Sequence, residues 1–144
     1  MGVKQILKQC ARPGCTELNE LHPLDAVQPD AISGARLMRV LRLCDSPRQE
    51  RFYKDGAWRR LRAELIGEGH GECVLCRARG RYSRAVMVHH VWFLAAHPEL
   101  AYARHYYSGG RAYPQLLPLC HDCHEAVHEH RHAEKRGPIT PERW

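Results

Sequence analysis

Two Cys-x-x-Cys pairs, Cys73 with Cys76 and Cys120 with Cys123, are the residues of this chain best spaced for metal chemistry. Each pair sets two thiols on one tight turn. Two such turns can close a single tetrahedral tetrathiolate site, with every position filled by protein and none left for a substrate. A structural zinc ion is the expected occupant, and the 43 residues between the pairs make room for inserted structure. Two other readings exist. A redox pair usually sits in a lone Cys-x-x-Cys on a thioredoxin-like pattern, which is absent here, and two unrelated buried pairs would need no metal. Cys10 and Cys15, with His22 or Cys44, are candidates for a second, smaller zinc site; the alternative is free thiols in a loosely packed arm.

Histidines form the second constellation. Nine of the 11 fall between residues 89 and 132. His89 and His90 are adjacent, and neighbours on a regular strand point to opposite faces, so the strand must end or bend if both are to serve one site. His124 and His128 lie four apart and share a helix face, a spacing suited to chelation.

The series FYKDGAWRRLRAEL, ECVLC, VMVHHVWF and QLLPLCHDCHEAVH resembles the HNH endonucleases of phage and prophage origin over about residues 50–132. The resemblance implies an α+β chain with a ββα-metal nuclease core, stabilised by a four-cysteine zinc site. It makes His89 a ligand of a catalytic divalent metal (Mg2+, Mn2+, Ni2+ or Zn2+), His90 the general base and His124 the second ligand. His128 would be a third ligand, as in nuclease toxins of this fold. The Asn of the family name falls at Gln115 here, a departure that puts the role of this position in question. The implied reaction is hydrolysis of DNA phosphodiester bonds, leaving 5′-phosphate and 3′-hydroxyl ends. The implied setting is a bacterial host cell, with phage terminase or packaging proteins as partners.

Those residue types suit the chemistry. A phosphodiester repels nucleophiles and has a poor alkoxide leaving group; a divalent ion screens the charge while a histidine takes a proton from water. Unperturbed histidine titrates near pH 6.5, so it is available as a base at neutral pH.

The 144-residue length allows one compact domain plus a short segment. A formal charge of +6 makes a polyanionic partner plausible without specifying a fold. The excess sits mainly after residue 47. Arg59, Arg60 and Arg62 form either a solvated helix face or a phosphate-tracking one, and Arg77, Arg79, Arg81 and Arg84 are further candidate backbone contacts. No stretch approaches the roughly 20 apolar residues of a membrane span. The first ten residues lack the apolar run of a secretory signal, so a reducing cytoplasm is expected and disulfides are not.

Three segments follow: an irregular, proline-dotted extension over 1–47, a nuclease domain over 48–136 and an extended tail over 137–144. In the extension, 31–43 predicts a short helix with Leu37, Val40 and Leu41 on one face. Residues 52–66 predict one amphipathic helix with Trp58, Leu61 and Leu65 inward, stopping at Gly67. Residues 85–93 predict a strand, Pro98 opens a short helix, and Ser108-Gly109-Gly110 marks a loop or hairpin tip.

Overall fold

A computed structural model describes residues 21–127. Cys10, Cys15, His128 and the tail lie outside them. The chain is α+β. Helix α1 spans Gly34–Cys44, and a 3-10 turn at Pro47–Gln49 leads into α2, Glu50–Lys54, and α3, Gly56–Glu68. A short α4, Val74–Ala78, precedes strand β1, Met87–His90. After a 3-10 turn at Pro98–Leu100 come β2, His105–Ser108, β3, Arg111–Pro114, and β4, Leu116–Leu119. A final helix, α5, starts at residue 121.

The centre of the fold is the antiparallel pair β1–β4, with Met87 opposite Leu119, His89 opposite Leu117 and His90 opposite Leu116. Alternation along these strands feeds two separate apolar clusters. Leu117, Leu119 and Val91 join Cys73, Leu75, Cys76, Cys123 and Val127. Val88 and Leu116 join Val40, Phe52, Trp58 and Ala101. The sheet therefore separates a cysteine-rich layer from an aromatic layer made by α1–α3.

The helix predicted over 52–66 is broken at Asp55, whose backbone is extended (ψ 143°). Its carboxylate caps α3 by accepting from the Ala57 N–H at 3.2 Å and also pairs with Arg39. The break lets Phe52 of α2 and Trp58 of α3 pack on each other, with ring centres 5.2 Å apart. The helix ends at Glu68, with Gly69 rather than Gly67 beyond its terminus. Asp55→Ala removes the cap; a loss of about 1 kcal/mol is expected, seen as a melting temperature lower by roughly 3 °C. An unchanged melt would mean that the cap contributes nothing.

Helix α1 buries Val40 and packs Leu37 inward, but Leu41 is 41% exposed, so the predicted apolar face is narrower than expected. The strand predicted over 85–93 is regular only over four residues, although the Val86 and Val91 amides still bond to the Leu119 and Gln115 carbonyls. Gly109 and Gly110, both at positive φ, turn the β2–β3 hairpin, as a two-residue loop requires.

The expected boundary at residue 47 does not coincide with a break in packing. Leu21, Ile32 and Val40 are core residues. The Asp25 carboxylate accepts from the Gly109 and Gly110 amides at 2.7 and 2.8 Å. The Gln28 side chain exchanges two 2.8 Å bonds with the Tyr107 backbone. Residues 21–33 thus strap the hairpin to the body. Among the described residues, no helix is long and apolar enough to cross a membrane.

Candidate metal centre

Cys73 immediately precedes α4 and Cys76 lies in its first turn; Cys120 follows β4 and Cys123 lies in α5. The pairing of β1 with β4 carries the two knuckles to one place. All four Sγ atoms lie within 4.8 Å of one another. Cys76 Sγ is 3.8 Å from Cys120 Sγ and 3.6 Å from Cys123 Sγ. Thiolates about 2.3 Å from a tetrahedral ion stand roughly 3.8 Å apart, so the donor set and its spacing fit zinc. None of the four is in a disulfide.

Burial raises the Cys73 and Cys123 thiols above their ordinary range. Burial also acts upward on Cys120, but the nearby Ser83 hydroxyl, the Cys123 backbone and the neighbouring thiols favour its thiolate and hold it at about 6. Four thiols this close cannot all ionise without a cation to offset the charge, which is the service a metal performs.

His124 is the residue after Cys123, and its amide donates to the Cys120 carbonyl at 3.0 Å. The knuckle thereby aims it at β1. His89, 2% exposed, meets it from the strand: the ring centres are 5.6 Å apart and the planes nearly perpendicular, at 77°. Phe93 packs edge-on to His89 at 5.8 Å. Burial, reinforced by His121 and opposed by Glu125, lowers the His124 pKa and so favours the neutral ring that metal binding requires.

His90 goes the other way. It is 4% exposed, stacks on Trp58 with ring centres 4.8 Å apart, and lies 6.0 Å from the Phe52 ring. Its Nε2 donates to the Ala101 carbonyl at 3.0 Å, leaving Nδ1 with the lone pair. Burial draws its pKa down to about 4. The strand does end at His90, yet the two adjacent histidines remain on opposite faces. Strand alternation governs here, and His89 and His124 are brought together without His90.

Gln115 is fully buried, and its amide clamps the turn after β1. Oε1 accepts from the Trp92 N–H at 3.0 Å and Nε2 donates to the Trp92 carbonyl at 2.9 Å. It positions a loop rather than a reacting group. Gln115→Ala leaves two backbone groups without partners; a cost of roughly 2–4 kcal/mol is expected in urea denaturation. Gln115→Asn, one methylene shorter, should recover little of it. A fully stable alanine variant would contradict the clamp.

The candidate arginines divide by environment. Arg59, Arg60, Arg81 and Arg84 are exposed. Arg62 donates to the Val86 carbonyl and ties α3 to the edge of β1, and Arg77 pairs with Glu72 at 3.7 Å. Arg79 is half-buried beside the cysteines. His22 stacks on Tyr113 and Cys44 packs in the aromatic layer, so they belong to different clusters. One arrangement escaped sequence reasoning: His97 Nδ1 lies 3.0 Å from Glu99 Oε2, an imidazole oriented by a carboxylate. Its only signal is the His-Pro-Glu string, which is too short to read.

Compared with known proteins, the chain matches no family model, no curated protein and no solved structure.

Proposed function

We propose that this chain is a metal-dependent endonuclease of the HNH type, hydrolysing DNA phosphodiester bonds. The observation that carries the reading is the meeting of His89 and His124, 35 residues apart in sequence, beside the four-cysteine cluster. Two imidazoles sharing one ion at about 2 Å each have ring centres roughly 5 Å apart, close to the separation found. In this reading β1, β4 and α5 are the two strands and helix of a ββα-metal core, and zinc in the cysteine cluster fixes their relative placement. A divalent ion held by His89 and His124 supplies charge to the scissile phosphate and to the departing 3′-oxygen. The sequence resemblance adds His128 as a third ligand; the base it assigns, His90, faces Trp58 and bonds to the Ala101 carbonyl, on the opposite side of β1 from His89 and His124. Exposed Arg59, Arg60, Arg81 and Arg84 hold the duplex through its phosphates. The setting that goes with the resemblance is phage DNA packaging, beside the terminase.

A second reading has a specific observation in its favour. His90 faces the aromatic layer, away from His89 and His124, as it would in a zinc-stabilised DNA-binding module whose nuclease site has decayed. Plasmid nicking in Mg2+, Mn2+ or Ni2+, run beside a gel-shift assay, separates the two. The endonuclease reading predicts metal-dependent nicking that His124→Ala abolishes. Salt-sensitive DNA binding with no nicking in any metal selects the binding module.

A further inference from the structure

We infer that Arg79 is the ionic partner of the zinc tetrathiolate and sets how tightly the cluster holds its metal. The inference rests on zinc occupying the four cysteines and is independent of any nuclease activity. A cavity of about 370 Å3 opens on one side of the cluster, and Arg79 lines it together with Cys76, Cys120 and Cys123. The guanidinium Nε and Nη2 are buried and have no hydrogen-bond partner among the described residues. Burying a guanidinium with no counter-charge is costly, and such groups are found paired. The neighbouring basic residues are differently placed: Arg77 is exposed and bonded to Glu72, and Arg81 is exposed. Asp122, the one carboxylate among the described residues lining the cavity, has a fully exposed side chain that lies 3.8 Å from His121.

Backbone geometry keeps Arg79 next to the first knuckle. The amides of Arg79 and Arg81 both donate to the Cys76 carbonyl at 3.0 Å, and Gly80 turns the chain between them at a φ of +75°. Four thiolates around one zinc ion leave a net double negative charge inside a partly dry site. A guanidinium at the wall of that site offsets the charge without competing for the metal, because it has no lone pair to donate. Arg79 is thereby a positioning residue of the zinc site and not a contact to the nucleic-acid backbone.

The test is zinc retention against a chromophoric chelator, using the full chain as wild type, Arg79→Met and Arg79→Lys. Arg79→Met keeps the aliphatic stem and loses the charge; its zinc affinity should fall by roughly 10–100-fold, the usual loss when a group supporting metal ligands is removed. Arg79→Lys should recover most of that loss. Cobalt substitution at saturating metal gives a control, since a tetrahedral tetrathiolate spectrum shows that each variant still folds around the site. Arg79→Met retaining zinc as tightly as wild type overturns the proposal, as does Arg79→Lys losing zinc as readily as Arg79→Met. A wild-type chain that holds no zinc overturns it together with the zinc assignment.

Discussion

Cys76→Ser is expected to release zinc and to melt the cysteine-rich side of the protein. Cys76 lies within 4 Å of two other thiols and is itself a buried member of the apolar cluster that includes Leu75, Leu117, Leu119 and Val127. In small zinc domains metal binding contributes about 10–16 kcal/mol of folding free energy, whereas a whole domain is stable by only about 5–15 kcal/mol. Losing one of four ligands therefore threatens the entire layer. The aromatic layer of Val40, Phe52 and Trp58 contains none of the four cysteines and is expected to resist longer. A melting temperature lower by at least about 10 °C is expected, with elemental analysis falling from one zinc per chain to none. Strong chelators should reproduce the effect in the wild type. A variant that melts like wild type would show that the cysteines are merely neighbours.

His124→Ala should leave the zinc in place and remove the exchangeable divalent ion. The residue follows Cys123 in sequence but is only half-buried, so its loss costs little packing. His89→Ala is the harsher change, because that ring is almost fully buried in β1. The reading gives the ion few protein donors, His89, His124 and His128, and removing one of them loosens its hold. Loss of the charge stabilisation a metal gives to phosphoryl chemistry is expected to lower cleavage by about 10²-fold or more. His121→Ala, on the exposed side of α5, is the matched control and should cleave normally. Equal loss in both variants would mean that the effect is not specific to the metal site.

Local rules carried much of this fold. The Cys-x-x-Cys spacing is set within single turns, so sequence alone located the four thiols; it needed only the β1–β4 pairing to close the cluster. The Gly109-Gly110 turn was legible for the same reason. Period-two alternation already demanded that His89 and His90 diverge on a regular strand, and they do. Long-range contacts were not legible. Nothing in the extension announces that Asp25 will cap amides 84 residues away, or that Gln28 will bond to Tyr107. The helix break at Asp55 was masked by an apolar period that continues through it, since Phe52, Trp58 and Leu65 remain inward on both sides of the break. Gln115 was legible only as an amide: that it would reach the Trp92 N–H and carbonyl, 23 residues away, follows from the β1–β4 pairing and from the length of its side chain.

The measurement closest to the central claim is nicking of supercoiled plasmid by wild type and His124→Ala at matched zinc content, across a titration of Mg2+ and Mn2+. The metal-centre account predicts that wild type converts plasmid to open circles with a saturating dependence on the added ion. The variant, with the same zinc and the same melting temperature, should cleave at least about 10²-fold more slowly. Cleavage by His124→Ala at the wild-type rate, or a wild type inert at every metal concentration, would contradict it.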